Sequence, residues 1–160
     1  CYELLDWHGR KVWRQPEFPN LIFAKDGEIY DFDGKKAIAI GGAYSQDKEY
    51  RLITGLPWFP DEQPDDKVKS QVVNKLNEVD WKIDYVFSHT CPLVYRPSQE
   101  SVVNFENIDS STEEWMDEIA KKLDYSQWYF GHYHDYRQVN SQFTLLYENI
   151  VPLEFNSIFE

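Results

Sequence analysis

Short apolar runs broken by glycine turns fill residues 21–42 of the chain, and longer periodic stretches follow. Leu21-Ile22-Phe23-Ala24, Lys25-Asp26-Gly27 and Glu28-Ile29-Tyr30-Asp31-Phe32 predict a hairpin around a glycine turn. Asp33-Gly34 gives a second turn. It leads into Lys36-Ala37-Ile38-Ala39-Ile40, whose continuous apolar core suits a strand covered on both faces. Residues 1–20 mix aromatics, charges and two prolines without a period, and are expected to be loop with one short strand. Tyr44 to Thr54 suggests a short polar helix, and Pro57-Trp58-Phe59-Pro60 a rigid aromatic loop. Pro64 opens a clearer helix, with Asp65 and Asp66 where the helix dipole favours acids and Val68, Val72, Leu76 and Val79 on one stripe.

Tyr85-Val86-Phe87-Ser88 then reads as a strand, and residues 90–109 as a long irregular connection, a length that usually carries function. Ser111 and Glu114 match a capping box, and Trp115, Ile119 and Leu123 supply the apolar face of the helix that follows. Trp128-Tyr129-Phe130 is the next strand, and residues 136–140 and 142–147 alternate as a final hairpin. Strand, helix, strand, helix, strand over residues 36–131 implies crossover connections, a largely parallel sheet and an α/β (α+β) fold.

Ligands of such sheets collect beyond the carboxyl ends of the strands. Here those ends are Gly41-Gly42, His89 and Gly131-His132-Tyr133-His134. Three of the four histidines therefore follow strand-like segments. If the backbone stays extended after Gly131, a spacing of two turns His132 and His134 to the same side. Neutral imidazole binds zinc, manganese, iron and related ions, so His89, His132 and His134 are the candidate metal ligands. Gly131, without a Cβ, would let the backbone turn or approach a bound group.

The totals refine this picture. At 160 residues one domain is expected, and no apolar run approaches the length that spans a bilayer. A formal charge of −12 argues against a nucleic-acid groove and suits a protein that gathers divalent cations. Cys1 and Cys91 make no disulfide framework, which points to a reducing, cytoplasmic compartment. Because residue 1 is Cys, the chain is expected to be a processed form or a piece of a longer protein.

Gly131-His132-Tyr133-His134 resembles the G-H-x-H signature of calcineurin-like metallophosphoesterases, and Ser88-His89-Thr90-Cys91-Pro92 resembles the strand-end histidine motif before it. Ile40-Gly41-Gly42-Ala43-Tyr44-Ser45, with Asp47-Lys48-Glu49-Tyr50-Arg51, is similar to the segment between them in bacterial members. The resemblance spans residues 20 to 147. It implies the C-terminal half of a four-layer αββα sandwich, with a mixed sheet, flanking helices and a C-terminal hairpin. It also implies phosphoester hydrolysis with two divalent ions (Mn, Fe, Zn or Ni), His89 and His132 on one and His134 on the other.

The family's D-x-H, G-D-x-x-D and G-N-H motifs, which supply the bridging Asp, the Asn ligand and the catalytic His, are not matched here. A complementary N-terminal half of the same domain is therefore expected as partner, beside a phosphate-ester substrate. Asp6-Trp7-His8-Gly9 imitates the first motif, but only Leu4 and Leu5 precede it where a buried strand should stand. Arg51 is a candidate phosphate clamp, with a surface ion pair as the plainer role. Tyr44 and Tyr133 are candidate pocket residues, with packing as the alternative. A Cys–His nucleophile at Cys91, which precedes Pro92 and lies near His89, is conceivable. Two rival readings remain open at this point: a complete mononuclear three-histidine zinc protein, and a non-catalytic module retained for binding a partner.

Overall fold

The computed structural model describes residues 2–97 and 108–153; the connection expected over 90–109 therefore lies partly outside the described residues. The N-terminal stretch expected to be mostly loop is instead a hairpin of β1 (Glu3–Trp7) and β2 (Arg10–Arg14). His8 and Gly9 form its two-residue turn with φ of 50° and 76°, the left-handed pair that matches strand twist. Asp6 accepts a hydrogen bond from Gly9 N at 2.9 Å, so the apparent D-x-H-G motif is turn chemistry.

The hairpin expected over residues 21–32 does not form. Strand β3 (Ile22–Ala24) pairs with β2 in a small three-stranded sheet, while β4 (Ile29–Phe32) pairs with β5 (Lys35–Ile40) in a second sheet. Two local features explain the split. Asp33-Gly34, with φ of 55° and 83°, closes β4 onto β5 as a tight two-residue turn. The Tyr30 hydroxyl accepts from Lys25 N and donates to Lys11 O, both at 2.8 Å, which fixes β2 and β3 across the chain instead of alongside β4.

The second sheet is six-stranded and mixed, in the order β4-β5-β6-β7-β9-β8. Strands β5, β6 (Lys82–Ser88), β7 (Asp124–Phe130) and β9 (Phe143–Leu145) run parallel, and β4 and β8 (Arg137–Gln138) are antiparallel edges. Among the described residues three α-helices accompany the strands: α1 (Lys48–Thr54), α2 (Asp66–Glu78) and α3 (Ser111–Lys122). Val72 and Leu76 of α2 and Met116 and Ile119 of α3 share one buried cluster with Ile38, Val86, Trp128 and Phe143, so both long helices cover the same face. On the other face Ala37, Tyr85 and Tyr129 are buried beside Phe87, Leu146, Val151 and Leu153.

Helix α2 starts as its sequence indicates, with the Asp65 carboxylate accepting from Val68 N at 2.8 Å. Helix α3 does not. Ser110 is its N-cap residue without a side-chain cap bond, and Asp109 accepts from Ser111 N at 3.0 Å. The box read as Ser111 and Glu114 is absent because the true frame is one residue earlier, Ser110 and Glu113. Among the described residues no helix is long and apolar enough to cross a membrane.

Candidate metal centre

The register of the parallel strands decides which loops meet. Ile40 lies beside Ser88 and Ser88 beside Phe130, so β5, β6 and β7 end level with one another. The ladder continues one residue further: His89 N donates to Ile40 O and Gly131 N donates to His89 O, both at 3.0 Å. His89 is thereby held directly beside the glycine that precedes His132.

Beyond Phe130 the backbone leaves the extended conformation that the His-x-His spacing assumed. His132 and His134 have φ of 73° and 51°, in the left-handed region that costs a residue with a Cβ roughly 1–2 kcal/mol. The turn expected of Gly131 is thus made by the histidines. A Cβ on Gly131 would make only ordinary contacts, 3.6 Å to Leu146 O and 3.8 Å to His89 O.

The result brings two imidazoles together. His132 Nδ1 lies 3.2 Å from His89 Nε2, with ring centroids 5.0 Å apart at 66°. His134 lies near this pair, its exposed ring stacked on Tyr147 at 5.0 Å and 17°. Burial holds the His132 pKa down to about 4, with His89, His134 and Arg96 adding to the effect and Glu62 opposing it. His89 keeps solvent contact, yet the surrounding protein and then His134 lower its pKa as well. Both rings are neutral at pH 7, the form with a free nitrogen lone pair. Among the described residues no three His, Cys, Asp or Glu side chains gather as a metal cage.

A cleft of about 350 Å³ opens beside His132 and His134, lined by these two with Ser45, Gln46, Asp47, Arg51 and Tyr133. Its outer wall is the loop between β5 and α2. The Glu62 carboxylate accepts from Ser45 N (3.1 Å) and Trp58 Nε1 (2.7 Å), and Ser45 Oγ donates to it at 2.5 Å. The Lys48 ammonium lies 4.4 Å from the Trp58 ring centre and 5.4 Å from that of Tyr44. Arg51 reaches the cleft but is engaged, donating to Asp47 at 2.8 Å and to Pro57 O at 3.2 Å. Tyr44 stands behind Lys48, outside the residues that line this cleft, and Phe59 is exposed.

Tyr133 faces the cleft with part of its surface, while its hydroxyl points inward. That hydroxyl lies 3.0 Å from Thr90 Oγ1 and donates to the Glu113 carboxylate. Cys91 is fully buried beside it, and burial pushes the thiol up to about 12, far from a nucleophilic thiolate. The carboxylate of Glu113, Thr90 and Arg96 behind the histidines escaped the sequence reading. An acid in the first turn of a helix looks like a dipole complement, and nothing in its spacing to His89 or His132 signals more.

No family model, characterised protein or solved structure matches this chain.

Proposed function

We propose that this chain supplies one wall of the metal centre of a calcineurin-like metallophosphoesterase, and that the activity it serves is metal-dependent hydrolysis of phosphate esters. The reading rests on the approach of His89 Nε2 to His132 Nδ1 at 3.2 Å between neutral rings. Two imidazole nitrogens each about 2.0–2.1 Å from one tetrahedral ion are about 3.4 Å apart, close to the spacing of this pair, so a cation could replace the proton now shared between them. His134 lines the same cleft as His132 and acts on the pKa of both rings, and the family resemblance assigns it to a second ion.

Divalent cations held there would supply Lewis-acid stabilisation of the charge on the phosphoryl oxygens. In this reading His89 and His132 orient one such ion and His134 contributes to the other. Arg51 binds the phosphate by exchanging its Asp47 partner for phosphoryl oxygens across the same cleft, where its planar fork gives two parallel hydrogen bonds. The bridging carboxylate and the proton donor to the leaving group are assigned to a further segment of the same domain, because Asp6-Trp7-His8 belongs to a hairpin turn and no G-D-x-x-D or G-N-H occurs in the present 160 residues.

Equilibrium dialysis of the chain against Zn²⁺ and Mn²⁺ tests this. Uptake that falls at least 100-fold in His132→Ala and in His89→Ala, and persists for the first ion in His134→Ala, is the expected result. Equal loss in all three variants would replace the proposal with a mononuclear site. Absence of uptake by the unaltered chain would remove the metal, and the hydrolase with it.

A further inference from the structure

The segments bearing the three histidines are tied to a single side chain on α3. Glu113 is 8% exposed and Thr90 fully buried, and Thr90 Oγ1 donates to Glu113 Oε1 at 3.0 Å. Thr90 follows His89 directly. Tyr133 lies between His132 and His134, and its hydroxyl donates to the same Glu113 oxygen and lies 3.0 Å from Thr90 Oγ1. The second Glu113 oxygen is paired with Arg96, whose Nη2 also donates to Ser110 Oγ at 2.8 Å. Ser110 and Glu113 are the positions from which α3 would normally satisfy its own first backbone N–H groups. Both side chains have been diverted to the loops instead.

We propose that Glu113, Thr90 and Tyr133 are positioning residues of the histidine site, and that their shared hydrogen bonds set the approach of His89 to His132. Three physical facts favour this over simple packing. A buried carboxylate costs stability unless it is paired and hydrogen-bonded, and an apolar side chain of similar size would serve packing at least as well. The two histidines flanking Tyr133 hold left-handed φ values, which persist only where the surroundings fix them. The Tyr133 hydroxyl is directed into the protein while the histidine rings stay at the cleft, so one residue pins the loop and its two neighbours are presented by it.

The proposal rests on the metal reading for one readout only. The full chain is compared with Tyr133→Phe, Thr90→Val and Thr90→Ser by imidazole NMR without metal and by Zn²⁺ affinity. Tyr133→Phe is expected to abolish the nuclear Overhauser contact between the His89 and His132 rings and to weaken Zn²⁺ binding about 10- to 100-fold, the usual effect of losing a group that orients a ligand. Thr90→Val should act in the same direction, and Thr90→Ser, which keeps the hydroxyl, should restore the unaltered spectrum and affinity. If Tyr133→Phe fails to fold, the Thr90 pair decides. An inter-ring contact unchanged in Tyr133→Phe or Thr90→Val overturns the proposal. Zn²⁺ binding absent from the unaltered chain would overturn the metal reading instead, with the ring contact still deciding the positioning role.

Discussion

His132 and His134 reach the cleft through strained backbone, not through the regular alternation of a strand. The spacing of two was legible and its cause was not, because alternation and a left-handed turn can put the same two side chains on one side. The same loop-end economy governs Gly42, at φ of 85°, whose absent Cβ would stand 2.7 Å from Glu62 O and 2.8 Å from Pro64 Cδ. Glu62 is the residue that holds Ser45 and Trp58 in the outer wall, so a methyl group there pushes on the wall itself. Gly42→Ala is expected to cost about 2–4 kcal/mol, the sum of left-handed strain and displaced backbone. Gly34 has a similar φ of 83° but open space around its Cβ position, and Gly34→Ala should cost only about 1 kcal/mol. Urea denaturation midpoints of the two variants separate the terms; equal losses would show that the wall yields to the methyl group.

The elements with a strong period were readable, and those with a choice of partner were not. Val72 and Leu76 of α2 lie at 0% exposure where the apolar stripe put them, because nothing competes with a four-residue repeat facing a sheet. Strands β3 and β4 misled, since each is a short apolar run and only distant hydrogen bonds decide which neighbour it takes. Helix α3 misled at its start because its frame lies one residue earlier than the box suggested, and Ser110 and Glu113 bond to Arg96, Thr90 and Tyr133 instead of capping it. Strand β7 carries a consequence that a solution experiment can read. Tyr125 packs edge-on against Trp128 (5.5 Å) and Phe143 (5.6 Å), and burial pushes its phenol up to about 12. An unfolded tyrosine loses its proton near pH 10, so between about 10 and 12 the unfolded chain binds fewer protons than the folded one. Stability is therefore whole below pH 10 and falls as pH rises through that window. Tyr125→Phe should flatten the alkaline limb of the thermal midpoint curve; an unchanged slope would mean that Tyr125 ionises freely in the folded state.

Across the whole molecule, the parallel run of strands with their carboxyl ends on one edge was the most legible feature, and the level ends of β6 and β7 set His89 beside Gly131. The sequence did not disclose that residues 3–24 build a sheet of their own. Charge is the other molecular property, and it complicates any metal test. A chain of formal charge −12 repels itself, and any salt that screens the repulsion raises its stability. Divalent ions would do so even without a site. The two causes differ in their dependence on concentration and on ligand chemistry. Screening needs millimolar salt and treats Mg²⁺ much like Zn²⁺, whereas imidazole nitrogens favour Zn²⁺ strongly over Mg²⁺. A bound ion stabilises by RT ln(1 + [L]/Kd), about 2.7 kcal/mol at a hundredfold excess over Kd. Micromolar Zn²⁺ in 0.15 M NaCl is therefore expected to raise the thermal midpoint of the chain by several degrees, with Mg²⁺ at the same concentration leaving it unchanged. His132→Ala should abolish the zinc increment while keeping the response to NaCl, because it removes a ligand and leaves the surface charge intact. An increment that survives in His132→Ala, or that Mg²⁺ reproduces, would place the effect on the acidic surface and take the histidine pair out of the explanation.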